Sequence, residues 1–257
     1  MAYWGTSWRR RRPMPVARRA VPGILQPKER KMSNQVVVVA VDGPSASGKS
    51  TVSRRVAEKM GWMYVDSGAL YRGVTWKCVK EGIDVKDTQA VTNLLIKMDF
   101  RLVVRGNAVG YEIDGEDPGM EIRGEAVRER VSDIAAQQPV RVFIVDKLRQ
   151  MTKFGNLVME GRDIGSVVFP DTPFKYYLDA DPEERARRRH AELAQREADS
   201  NVSKVLDSLK RRDQKDTSRT TSPLQIALGA KVINSTGMGI DEVVGVVLDD
   251  LKAAGVC

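Results

Sequence analysis

Residues 43–51 read GPSASGKST: Gly43, Pro44, Ser45, Ala46, Ser47, Gly48, Lys49, Ser50 and Thr51. Two glycines at this spacing, followed by lysine and a hydroxyl residue, match a loop that wraps phosphate. Glycine permits the tight turn and keeps side chains clear of the bound group. Several backbone N–H groups can then converge on one anion. Lys49 is spaced to reach β- and γ-phosphates, and Ser50 to place a hydroxyl on Mg²⁺. The anion this fits is the triphosphate of a nucleotide. A ligand-free glycine turn is the competing reading, and the flanking elements count against it.

Those elements are legible. Residues 36–41 are six consecutive apolar residues, mostly β-branched, which suits a strand buried on both faces of a parallel sheet. After the loop, Val52, Val56 and Met60 recur every four residues along one helix face, and Gly61 sits where that helix would stop. Four further short apolar segments, 62–65, 156–159, 174–178 and 231–233, extend the series to five parallel strands linked by helices. Asp181, Pro182, Glu183 and Glu184 spell a helix start, with a cap, a proline at the first position and acids in the first turn. The last helix runs from about 240 to 254, with Val243, Val244, Val247 and Leu251 on one face.

Two stretches interrupt the series. Between the second and third strands lie about ninety residues, too many for a simple crossover. Within them, 100–104 and 109–113 flank the turn Arg105, Gly106, Asn107. The alternation Val109, Tyr111, Ile113 has period two, so a small antiparallel insertion is expected. The second interruption, about 181–221, is dense in arginine and reads as helices forming a mobile cover. No internal repeat is found.

The chain has 257 residues and 42% apolar content, enough for one α/β domain with subdomains. No apolar run approaches the ~20 residues of a membrane span. Cys78 and Cys257 are far apart and His190 is the single histidine, which excludes a zinc site and fits a reducing cytosol. Residues 1–31 hold nine of the 42 basic side chains and one of the 34 acidic ones, so the net charge of +8 resides there and the remainder is neutral. That remainder offers no bulk charge for nucleic acid. The tail, 1–33, has four prolines and no clear amphipathic period, which predicts disorder. A transit peptide would be richer in serine than this segment, which has only Ser7 before Met32. Met32 itself is an alternative start.

GPSASGKST, DSGALYRG at 66–73, EGRDIGSVVFPD at 160–171 and RRDQKDTSR at 211–219 together resemble bacterial cytidylate kinases, in the same order and spacing over nearly all of 35–256. The insertion around 95–125 resembles the extended nucleotide-binding domain of the bacterial form. The resemblance implies a five-stranded parallel P-loop NTPase core (34–66, 147–180, 221–257) with helices on both faces. It also implies an inserted acceptor-nucleotide subdomain (67–146) with a small antiparallel sheet, and a helical lid (181–220). The implied reaction is transfer of phosphoryl from ATP, with Mg²⁺, to CMP or dCMP, giving CDP or dCDP and ADP. The expected partners are these small nucleotides alone, without membrane or nucleic acid, for a cytoplasmic monomer. Two other readings stay open: another small-molecule kinase with a different acceptor, and a nucleotide-regulated module that holds RNA through its basic tail.

By the same resemblance, Arg72, Arg162 and Arg219 hold the acceptor phosphate. Planar guanidinium groups suit this because they grip phosphate oxygens in pairs. Lys49, Arg162 and Arg219 form the catalytic set. Asp163, Ser132 and Arg141 fill the roles that meet cytosine, whose amino donor and N3 and O2 acceptors they complement; uracil presents O4 and N3–H in the wrong sense. Asp216 and Arg212 meet the sugar, and Ser67 and Tyr71 line the acceptor pocket. Ser67 also fits a helix cap. Ser50 is the expected Mg²⁺ ligand. Asp42 and Glu160, at strand carboxyl ends, can each hold metal waters, and Asp42 equally fits a structural bond. In the run Arg185, Arg187, Arg188, Arg189, successive residues point about 100° apart, so one or two are expected to clamp ATP phosphates and the rest to face solvent or nearby glutamates. His190 is expected at the surface. Where the family commonly has aspartate after the last strand, this chain has Asn234.

Overall fold

A computed structural model describes residue 1 and residues 36–194, 201–219 and 221–256. The disorder expected for 1–33 falls outside the described residues. All the elements belong to one unit, Val36–Cys257. In chain order they are β1 (Val38–Asp42), α1 (Lys49–Met60), β2 (Met63–Asp66), α2 (Ser67–Lys80), α3 (Thr88–Lys97), β3 (Phe100–Arg105), β4 (Ala108–Ile113), α4 (Glu125–Ala136), α5 (Gln138–Gln150), β5 (Leu157–Gly161), β6 (Phe174–Asp179), α6 (Pro182–Ala194), α7 (Val202–Ser218), β7 (Lys231–Asn234) and α8 (Ile240–Ala253).

The strands form one sheet in the order β3-β4-β2-β5-β1-β6-β7. Strand β1 is buried along its whole length. Its alternate residues feed two cores. Val38 and Ala40 join Val65, Leu157 and Met159 under α2 to α5. Val39 and Val41 join Tyr64, Val158 and Tyr176 under α1 and α8. Burying each such valine or leucine contributes about 1.5–3 kcal/mol, so the central strands are the most firmly held. They present their carboxyl ends, at Asp42, Asp66 and Gly161, to one rim of the sheet.

The five expected parallel strands are present. One expectation is corrected: the hairpin β3–β4 is not a separate small sheet. It extends the main sheet to seven strands, with β4 running parallel to β2 through the single register pair Tyr64 and Ala108. The Tyr64 N–H donates to Asn107 O at 2.7 Å. The hairpin is also fixed to α2, where the Tyr111 hydroxyl donates to Ala69 O at 2.6 Å. Among the described residues no helix is long and apolar enough to cross a membrane.

Candidate active site

The loop between β1 and α1 owes its path to glycine. Gly43 has φ 148°, and a Cβ there would lie 2.0 Å from Leu178 O of β6. Gly48 precedes α1 with φ 93°, and no side chain caps that helix. The first-turn N–H groups are thus left to meet an anion, aided by the positive end of the helix. Gly61 closes α1 with φ 65°, as its position predicted. Lys49 Nζ donates to Pro44 O at 2.6 Å and reaches Ser47 Oγ at 3.5 Å. Burial, reinforced by the charge of Arg162, lowers the Lys49 ammonium to about 7, against the pull of Glu160, Asp42 and Asp216.

A cleft of about 680 Å³ opens in front of the loop. Ser45, Ala46, Gly48, Lys49, Ser50 and Thr51 line one side of it. Gly43, Pro44 and Ser47 are buried and complete the loop from behind. Ser67, Tyr71 and Arg72 of α2 face the same cleft, with Ser132 of α4 and Arg141 of α5. Arg162 and Asp163 enter from the loop after β5, and Arg212, Asp216 and Arg219 from α7 and its end. Every residue expected at the acceptor nucleotide therefore shares one cavity with the phosphate loop.

The charged groups hold one another in place. Arg162 Nε donates to Asp216 Oδ2 at 2.9 Å. Arg219 Nε donates to Ser222 O at 2.6 Å, and its Nη1 lies 3.8 Å from Asp216 Oδ1. Arg72 Nη2 donates to Asp66 Oδ2 at 2.7 Å. Arg141 donates through Nη2 to Asp163 Oδ2 and through Nη1 to Ala135 O at 3.2 Å. Its guanidinium stands 5.7 Å from the Tyr71 ring centroid. Burial raises the Asp163 carboxyl above its ordinary value, even though Arg141, Arg219 and Arg162 oppose the shift. Three guanidinium nitrogens, Arg72 Nε, Arg141 Nε and Arg219 Nη2, are buried without a partner. Each such donor costs about 1–3 kcal/mol, a cost that an anion or a base edge in the cleft would offset.

Among the described residues no cluster of three or more His, Cys, Asp or Glu is placed to hold a metal. What the cleft offers is the exposed hydroxyl of Ser50 and the carboxylates of Glu160 and Asp66. That sparse set fits Mg²⁺, which keeps waters and takes its remaining ligands from phosphate oxygens. Glu160 accepts from Tyr64 Oη at 2.6 Å and from Ser50, and burial together with the nearby Asp66 raises its carboxyl.

A model of the cytidylate kinase family matches residues 39–253. The chain belongs to that family. It is 42% identical over 218 residues to the cytidylate kinase of Nitrosomonas eutropha, covering 84% of this chain and 96% of that protein. It is 40% identical over 221 residues to the cytidylate kinase of Caldanaerobacter subterraneus, covering 86% and 97%. For that of Shouchella clausii the figures are 40% over 214 residues, 83% and 95%.

The structure decides several readings that the sequence left open. Asp42 is structural: its two oxygens accept the N–H groups of Ile164 and Gly165 at 2.8 Å each, which fixes the π-helical turn Ile164–Val168 after β5. Burial raises its carboxyl to about 6. The cap of α2 is Asp66, which accepts from Ala69 N at 3.0 Å, and not Ser67. Of the α6 arginines only Arg189 lines the cleft. Arg187 points outward to Glu184, and Arg188 bonds Glu184 and Ser235. His190 is half-buried and is not among the cleft residues. Asn234 accepts from Thr236 N at 3.0 Å, a local turn bond that needs no charge.

Sequence reasoning did not single out several charged cleft residues, among them Asp66, Arg54, Arg55, Glu58, Arg123 and Arg128. Asp66 was findable, since it ends a strand beside Ser67 and faces an arginine one helical turn and a half away. Arg123 and Arg128 lie in a stretch of mixed charge without a motif, and only the packing of the 3-10 turn Glu121–Arg123 and of α4 against α2 brings them to the cavity.

Proposed function

We propose that the chain transfers the γ-phosphoryl group of ATP to CMP, and to dCMP, giving CDP or dCDP and ADP. The observation that carries this reading is the single cleft in which the main-chain phosphate loop and Arg72, Arg162 and Arg219 both face the same space. A kinase for a nucleoside monophosphate needs two such grips. Ser50, with Glu160 as a further acceptor for its waters, would hold Mg²⁺, which would supply neutralisation of phosphate charge.

The residues of the chain supply position and electrostatics. The loop N–H groups and Lys49 hold the donor phosphates. Arg72 is oriented by Asp66, and Arg162 by Asp216, so their forks are set before the acceptor phosphate arrives. Arg162, Arg219 and Lys49 converge where negative charge develops during transfer. The Arg141–Asp163 pair presents a donor beside an acceptor, the pattern that meets N3 or O2 and the amino group of cytosine, with Ser132 alongside. Facing uracil, the buried carboxylate would meet a carbonyl and two acceptors would go unpaired, at a cost of about 1–3 kcal/mol each. Ser67, Tyr71, Arg212 and Asp216 complete the acceptor pocket around the sugar. No covalent intermediate is required. The same proposal takes 34–66, 147–180 and 221–257 as the core, 67–146 as the acceptor insertion and 181–220 as the lid that excludes water. It takes small nucleotides as the only partners of a cytoplasmic monomer.

The test is a coupled spectrophotometric panel of CMP, dCMP, UMP, AMP and shikimate with ATP and Mg²⁺. CMP and dCMP should turn over at least about a hundredfold more efficiently than the other acceptors. Preferential turnover of any of the other three would overturn the proposal.

A further inference from the structure

Arg185 of α6 is 6% exposed and does not line the cleft. Its Nε donates to Ala180 O at 3.0 Å, and its Nη1 donates to Ser45 O at 3.1 Å and Asp213 Oδ2 at 2.6 Å. These acceptors belong to three parts of the molecule: the end of β6, the phosphate loop and α7. The residue after Ser45 is Ala46, whose φ of 61° is left-handed and unfavourable for any side chain. Ala46 packs against a small apolar cluster of Ala186, Val205 and Leu209 from α6 and α7. The strained turn is thus held on one side by a guanidinium and on the other by the cover helices. The other oxygen of Asp213, Oδ1, is buried without a partner, so the carboxylate is committed to Arg185.

We propose that Arg185 is a positioning residue for the phosphate loop. It holds the Ser45–Ala46 turn in the shape that aims the loop amides at phosphate, and through Asp213 it makes that shape depend on the seating of α7. Closing of the cover and tightening of the donor site are then one event. A lysine retains the charge, but its three donors radiate from one nitrogen and cannot span Ala180 O, Ser45 O and Asp213 Oδ2 as the extended planar fork does.

The assay for transfer rests on the kinase reading, but the decisive measurement does not. Affinities of the full chain for ATP and for ADP are measured by calorimetry without acceptor, for wild type, Arg185→Lys and Asp213→Asn. Both nucleotides share the β-phosphate that the loop cradles. Arg185→Lys should therefore weaken both by the same factor, about tenfold or more. Asp213→Asn should do likewise by about threefold, and the KM for CMP, whose ligands Arg212 and Asp216 share α7 with Asp213, should rise by less than the ATP and ADP affinities fall. A loss confined to ATP would make Arg185 a γ-phosphate ligand and overturn the proposal. So would unchanged affinities, or an equal loss for CMP, which would mean general loosening. If Arg185→Lys does not fold, Asp213→Asn decides alone: parallel weakening of ATP and ADP supports the proposal and unchanged affinity overturns it. A wild-type chain that binds ATP and ADP yet leaves CMP untouched would sink the kinase reading and leave this test standing.

Discussion

Lys49 sits in the loop under conditions that disfavour its own charge. Its ammonium has an ordinary value of 10.5 and is lowered to about 7 in the folded chain. As pH falls from 10.5 towards 7, the unfolded chain takes up a proton that the folded site resists. Stability from this residue is therefore fully present above 10.5 and is lost as pH falls to about 7. Replacing Lys49 by methionine should remove that slope. In urea unfolding, the gain of Lys49→Met over wild type should be larger at pH 7 than at pH 10, on the order of a few kcal/mol. The same variant should lose phosphoryl transfer by about a thousandfold or more while keeping its circular dichroism spectrum. Asp163 is a second test at this scale. Asp163→Ala should raise the KM for CMP about tenfold or more and leave that for ATP within about twofold; equal changes would mark it as structural. Leaving Arg141 buried and unpaired should also lower stability by about 3–5 kcal/mol. The residues that were legible in the sequence lie in runs whose neighbours are themselves unusual: a lysine after glycine, an arginine beside an aspartate at a strand end. Arg123 and Arg128 had no such neighbours. Arg185 was legible only as one of four similar side chains, because a helix distributes adjacent residues around its axis and packing decides which turns inward.

Among the elements, α2 joins the acceptor side of the cleft to the hairpin. A Cβ on Gly73 would lie 2.5 Å from the Tyr111 ring. Gly73→Ala should push β4 away from α2, lower stability by about 1–3 kcal/mol in denaturant melts, and raise the KM for CMP more than that for ATP, because Arg72 is its neighbour. A fully stable variant would mean that the hairpin can shift freely. Strand positions were readable to within a few residues because apolar runs of that length and composition have few alternatives in a βαβ series. What could not be read was that β3–β4 joins the main sheet. The contact between Tyr64 and Ala108 spans a long stretch of chain, and neither residue advertises it. Capping was one of two roles open to Ser67, and Asp66 takes it, since both are good caps and only the strand end decides between them.

Across the whole molecule, charge is divided unevenly: the excess of +8 belongs to residues 1–31 and the rest is balanced. A chain beginning at Met32 should keep kcat/KM for CMP and ATP within about twofold and should elute from heparin at markedly lower salt. A large fall in kcat/KM would give the tail a part in catalysis. The cover is tied to the acceptor side by Arg212 Nη2 donating to Arg128 O at 2.9 Å and by Lys215 Nζ with Asp133 Oδ1 at 2.9 Å. The hairpin edge meets β2 through one rung, Tyr64 to Ala108, and is held chiefly by the burial of Phe100, Val109, Tyr111 and Ile113 in the core it shares with α2. Tyr111, through its bond to Ala69 O, ties the hairpin to the helix that bears Tyr71 and Arg72. Deuterium should then enter at Tyr64 well before Val39, and adding CMP, but not ATP, should slow it there. Any yielding of this edge would therefore reach the acceptor helix before the phosphate loop.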